Sequence, residues 1–145
     1  MDMDGISHLV LRGVEPLLET FETIKAHFFS AERDDGSAGG FPAFGVMFLD
    51  EEDNRMTPVV YVHDVDTTYF EGSCASGTTA AAFAEVMDRE DGIYRMSFRE
   101  PAGTLYAEVI REEGETSGIR LSGQVELSDV IAVEIQGTPE METQR

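Results

Sequence analysis

The sequence predicts an α+β domain in which a mostly antiparallel sheet wraps around a central apolar helix. Three observations predict it. Two segments carry helical character, one amphipathic and one apolar nearly all round. At least six short β-type runs surround them, bounded by Gly, Pro and acidic turns. The last four of these runs follow one another with only turns between them, which favours antiparallel pairing.

Taken in order, residues 6–11 form an apolar run that reads as a buried strand ending at Gly13. Residues 15–29 follow with Pro16 in the first turn, where its missing N–H costs nothing. Leu17, Leu18, Phe21, Ile24, Phe28 and Phe29 recur at helical spacing with Glu19, Glu22 and Lys25 between them, so this helix should lay one face on a core. Residues 30–42 are polar, glycine-rich and aperiodic, a loop. Residues 43–49 and 57–62 read as strands around a polar turn, and residues 68–70 as a short extended piece. Residues 78–88, rich in alanine, predict the second helix; small side chains allow strands to approach it closely. Residues 93–98, 104–110, 119–125 and 130–135 complete the strand set. The reading gives one domain over residues 1–136 and a flexible tail over 137–145.

Composition restricts the partners. Ten Lys+Arg against 29 Asp+Glu leave a formal charge of −19, a field that repels phosphate backbones and anionic lipid, so neither nucleic acid nor membrane is expected as a partner. There is no apolar run long enough to span a bilayer and no secretory leader pattern at the start. One cysteine excludes an internal disulfide and a cysteine-based zinc site, and fits a cytoplasmic setting.

That cysteine, Cys74, sits in Gly-Ser-Cys-Ala-Ser-Gly at the expected start of the second helix. A lone buried thiol is often only a small hydrophobe. Here the flanking small, polar residues argue for chemistry. A helix N-terminus supplies unpaired N–H groups and a positive dipole end, which should stabilise a thiolate and lower the thiol pKa. The same N–H groups, left accessible by Ala75, Ser76 and Gly77, form an anion cradle. A thiolate beside a carboxylate cradle suits removal of the α-proton of an amino acid, because charge then builds next to a held carboxylate. Two other readings stand beside this one. The first is a non-catalytic lobe that keeps the carboxylate-binding helix terminus. The second is a cysteine hydrolase served by His8 or His63, either of which flanks a strand and has a route to Cys74. His27 reads as structural. The acidic clusters at 51–53 and 112–115 read as solvated turns, and Gly36 to Gly40 has no phosphate-loop pattern.

The stretch Ser-Cys-Ala-Ser-Gly-Thr-Thr beginning at Ser73 resembles the cysteine–glycine–Ser/Thr–glycine motif that opens the central helix in the diaminopimelate epimerase-like family of amino-acid racemases and epimerases, enzymes that use no pyridoxal phosphate. Tyr69-Phe-Glu-Gly-Ser-Cys74 is similar to its histidine racemase branch. Gly5-Ile-Ser-His8 and Phe44-Gly-Val-Met-Phe48 fall where the second lobe of the family has a Gly-x-x-His segment and a substrate-side strand. The resemblance implies a single, C-terminal lobe of a two-lobed, cofactor-independent isomerase. In such an enzyme one cysteine per lobe exchanges protons with the substrate, so a second lobe or a homodimer would be the partner. Carried over, Cys74 is an acid/base thiol. Ala75, Ser76 and Gly77 offer N–H groups to the carboxylate of an amino-acid substrate, and Glu71 contacts its amino group or side chain. Ala75 replaces the family glycine, and Val65-Asp66 replaces the Glu-Arg pair of diaminopimelate epimerases, which argues against diaminopimelate as the substrate.

Overall fold

A computed structural model describes residues 1–30, 42–127 and 129–133. Strand β1 (Asp2–Met3) turns through Gly5, at φ 86°, into the antiparallel β2 (Ile6–Arg12). Helix α1 (Leu18–Ser30) then precedes β3 (Ala43–Asp50), which lies parallel to β2, as a helix-containing crossover permits. A tight turn returns β4 (Arg55–Val62) antiparallel to β3 along its whole length. One 3-10 turn, His63–Val65, reverses the chain so that β5 (Thr67–Phe70) pairs with the end of β4. Helix α2 (Ala75–Val86) leads into an antiparallel meander of β6 (Gly92–Glu100), β7 (Gly103–Glu112) and β8 (Glu115–Gly123).

All eight strands form one sheet in the order β1-β2-β3-β4-β6-β7-β8, with β5 attached to β4. The two halves meet at a single parallel pair, Arg55 with Arg99. That junction is reinforced from the side: the Arg99 N–H donates to the Asn54 carbonyl at 2.8 Å, and its guanidinium reaches both the carbonyl and the carboxylate of Asp53.

Strand β3 explains how the layers are arranged. Its residues alternate between two cores, so both faces are covered and the strand reads as a continuous apolar run. Phe44, Val46 and Phe48 join Phe21 and Val59, with Ile24, Phe28 and Phe29 of α1 packed against them. Phe28 stacks on Phe44 with ring centroids 4.2 Å apart. Met47 and Leu49 point the other way, into a core with Met56, Ala81, Ala82, Val86, Phe98 and Val109. Helix α2 lies in that second core and touches β2, β3, β6, β7 and β8. Ala80, Ala81 and Ala82 are fully buried there, which is what a helix of small residues permits.

Three expectations are corrected. Helix α1 starts at Leu18, not at residue 15, and its first bond runs from the Phe21 N–H to the Leu17 carbonyl; Pro16 therefore precedes the helix. Leu17 and Leu18, read as core, are each 52% exposed, because the aromatic core begins only at Phe21. Residues 130–133, read as part of a strand, pair with no neighbour among the described residues, and Val130, Ile131 and Val133 stand exposed. Strand propensity expresses fit to a half-buried pleated surface, and the described residues offer none here. The rest of that expected strand, the 137–145 tail and the stretch from Gly36 to Gly40 lie outside the described residues.

Candidate active site around Cys74

Cys74 is delivered by a loop pinned on two sides. The Glu71 N–H donates to the Pro58 carbonyl of β4 at 2.9 Å, and the Ala102 N–H from the β6–β7 turn donates to the Gly72 carbonyl at 2.7 Å. Cys74 then occupies the N-cap of α2 with extended backbone (φ −137°, ψ 101°), and its carbonyl takes the first helical hydrogen bond, from the Thr78 N–H. The thiol is almost wholly buried. Gly77 is required by packing: a Cβ there would lie 2.0 Å from Met47 Sδ and 3.2 Å from Cys74 Sγ. The motif glycine thus lets α2 press onto β3 as well as keeping its N–H uncovered.

A second strand reaches the same spot. His8 of β2 is buried, and its Nε2 lies 2.9 Å from Ser76 Oγ, which is 3.6 Å from Cys74 Sγ. Space for the imidazole comes from Gly45, the residue paired with His8 across β2 and β3, where a Cβ would fall 2.4 Å from Nδ1. Among the described residues Nδ1 has no hydrogen-bond partner. A bare lone pair is cheaper to bury than a bare N–H, so the tautomer that fits carries its proton on Nε2. That tautomer donates to Ser76, leaving the Ser76 hydroxyl proton to point at the thiol.

The floor of the site is an acid. Glu100, at the end of β6, is buried; its Oε2 accepts the Cys74 N–H at 2.7 Å, and its Oε1 meets the Thr78 hydroxyl. Thr78 also approaches the Cys74 carbonyl, at 2.8 Å. In the first turn of α2 the N–H groups of Ala75 and Ser76 have no intrahelical acceptor, and the Cys74 side chain does not cap them.

The electrostatics overturn one expectation. Burial pushes the Cys74 thiol up to about 11, and the Glu71 carboxylate beside it acts in the same direction. The Ser76 hydroxyl and the Gly77 N–H pull the other way and do not prevail. A helix terminus lowers a thiol pKa and burial raises it; here burial is the larger effect, and Glu71 adds to it. His8 is displaced downward, to about 4, first by burial and then by the N-terminal ammonium, which donates to its carbonyl at 2.7 Å.

The five residues singled out in the sequence, Glu71, Cys74, Ala75, Ser76 and Gly77, therefore fall in one loop and the first turn of α2. Of the two histidines given a route to Cys74, His8 reaches it through Ser76, whereas His63 is exposed beside Asp64 and Phe29. The acidic turns hold arginines and backbone: Glu51 pairs with Arg12, and Asp91 accepts the N–H groups of Glu113 and Gly114. Among the described residues no cluster of three or more His, Cys, Asp or Glu is suited to a metal. Glu100 was not anticipated, nor was its contact with Thr78, a residue read only as part of the small-residue cradle. The only signal for Glu100 is an acid placed directly before the Pro101 turn, and many acids in this chain precede turns.

Residues 1–131 match the family model described as the histidine racemase CntK N-terminal domain. The chain belongs to that family. The matching model is that of an N-terminal domain, which stands against the C-terminal placement that the resemblance implied. The chain is 32% identical over 126 residues to a histidine racemase of Fusobacterium nucleatum subsp. nucleatum, covering 85% of this chain and 43% of that protein. It is 25% identical over 65 residues to a histidine racemase of Staphylococcus aureus, covering 45% of this chain and 24% of that one. It spans about two-fifths of the length of the Fusobacterium relatives. The crystal structure of a methylitaconate-delta-isomerase superposes with a TM-score of 0.51 at 17% identity, over 83% of this chain and 35% of that one, which extends the likeness to fold alone.

Proposed function

We propose that this chain is one lobe of a cofactor-independent amino-acid racemase, with histidine the first substrate to expect, and that Cys74 is one of its two acid/base thiols. The observation that carries this reading is the meeting of a buried thiol with the open N–H groups of Ala75 and Ser76 on one helix turn, in a chain of the histidine racemase family. Those two N–H groups hold the substrate carboxylate, while the Gly77 N–H serves the sulfur. Glu71 faces the amino group. With its pKa raised, Cys74 enters the cycle as the thiol. A base on the opposite face of the substrate takes the α-proton, leaving a carbanion whose charge spreads into the held carboxylate, and the Cys74 S–H bond breaks to return a proton to the other face. After one turnover the two groups have exchanged states, so the reverse direction follows. The opposite base comes from a second lobe or, through two-fold pairing, from a second copy of this chain.

The test is exchange of the α-proton in D2O across a panel of amino acids including both enantiomers of histidine. The chain is assayed alone and together with the C-terminal portion of a family member. Exchange should appear with histidine and fall by about 10²–10⁴-fold in Cys74→Ser. Wild-type protein with its thiol reduced that exchanges no amino acid in either assembly would reject the reading.

A further inference from the structure

Glu100 is a buried carboxylate from a different part of the chain, 26 residues beyond Cys74, with both oxygens turned to the N-terminus of α2. It forms no salt bridge with any described residue; the neighbouring Arg99 is committed to Asp53. A buried acid without a cation is costly unless its hydrogen bonds are good. Its hydrogen bonds here go to the Cys74 N–H and to Thr78, a side chain with no exposed surface. The Thr78 hydroxyl has one proton and faces two oxygens, the Glu100 carboxyl and the Cys74 carbonyl. Glu100, Thr78 and the Cys74 backbone thus form a ring of contacts, in which the one Thr78 proton serves the Glu100 carboxyl or the Cys74 carbonyl at a time.

We propose that Glu100 is a positioning residue. Through this ring it fixes the backbone of Cys74, and with it the aim of Sγ and the set of first-turn N–H groups left for a ligand. Occupying the Cys74 N–H has a consequence for binding. An incoming carboxylate is left with Ala75 and Ser76, one step along the helix, and is kept beside the thiol rather than beneath it. The charged or titratable groups around Cys74 are Glu71 from its own loop, beside the thiol, His8 from β2, through Ser76, and Glu100 from β6, at the backbone N–H. The link to catalysis rests on Cys74 being a working thiol; the positioning itself does not.

Because Cys74 is the only cysteine, alkylation reports on one site. Iodoacetamide reactivity is measured against pH on the whole chain for wild type, Glu100→Gln, Glu100→Ala and Thr78→Val, with melting temperatures alongside. Glutamine can reproduce the ring: its carbonyl accepts the Cys74 N–H, and its amide donates to Thr78, which turns its proton to the Cys74 carbonyl. Its profile should overlay the wild type. Glu100→Ala should free the first turn, raising reactivity at pH 8 by about tenfold and moving the midpoint toward the ordinary thiol value of ~8.5. Thr78→Val, similar in shape, should shift in the same direction by less, and stands in if Glu100→Ala does not fold. Glu100→Ala and Thr78→Val profiles that coincide with the wild type, whatever the melting temperature, would reduce Glu100 to a fold-stabilising cap and overturn the proposal. So would Glu100→Gln behaving like Glu100→Ala, since charge rather than hydrogen bonding would then be at work. In the two-lobe exchange assay Glu100→Ala should lose kcat with little change in KM, and Glu100→Gln should restore it. Absence of exchange in the wild type would remove the catalytic reading but leave the alkylation result standing.

Discussion

Cys74 and His8 sit on either side of Ser76, and burial drives both toward their neutral forms. For the thiol this means slow alkylation at neutral pH and a midpoint near 11 in a pH series with iodoacetamide, against ~8.5 for a free thiol. A midpoint at or below the free value would show that the helix terminus, not desolvation, sets the charge state. For His8 the consequence is a stability that depends on acid. Its folded pKa, about 4, lies below the unfolded value of 6.5, so the unfolded chain takes up a proton over a range where the folded chain does not. The contribution is full above pH 6.5 and is lost as pH falls through 4, with a ceiling on the order of 3 kcal/mol. Urea unfolding at pH 7 and pH 4.5 should show a larger loss for wild type than for His8→Gln, which keeps a donor for Ser76 and cannot charge. Equal losses would mean that carboxylates alone govern the acid limb.

Among the elements, α2 and β3 are fitted to each other at one point, where Gly77 admits Met47. Adding a single methyl in Gly77→Ala should cost about 1–3 kcal/mol, the range for overpacking, partly offset by the better helix propensity of alanine. Met47→Val, which removes the obstructing sulfur, should recover part of that cost in the double variant. A double-mutant cycle by chemical denaturation measures the coupling, and additive effects would show that the two residues do not meet. The existence of α2 was legible in the sequence from its alanines, although it runs from Ala75 to Val86 where residues 78–88 were expected. Helix α1 was legible in its aromatic half only. Its periodicity continues to Leu17 and Leu18, but periodicity states which residues share a face, not how far the opposing surface extends. Residues 130–133 pair with no described neighbour for a related reason: β-branched residues supply propensity, and a neighbouring strand has to supply the hydrogen bonds.

Over the whole molecule, the formal charge of −19 is a standing repulsion that folding concentrates. Raising sodium chloride from low concentration to ~0.5 M shortens the screening length to a few ångströms and should raise the melting temperature. A melting temperature indifferent to salt would mean that the local pairs, such as Arg95 and Arg120 on Glu108, already balance the field. By itself the sequence determined much of what neighbours along the chain carry. The α+β class, the two helices, the antiparallel meander, and the thiol, small residues and Glu71 at one helix terminus all lie within short windows. Tertiary structure alone decided what joins that terminus from afar: His8, 68 residues from Ser76, and Glu100, 26 residues beyond Cys74. It also decided the state of the thiol. A helix dipole can be read from local order, but the desolvation that outweighs it depends on how completely other strands close over the sulfur.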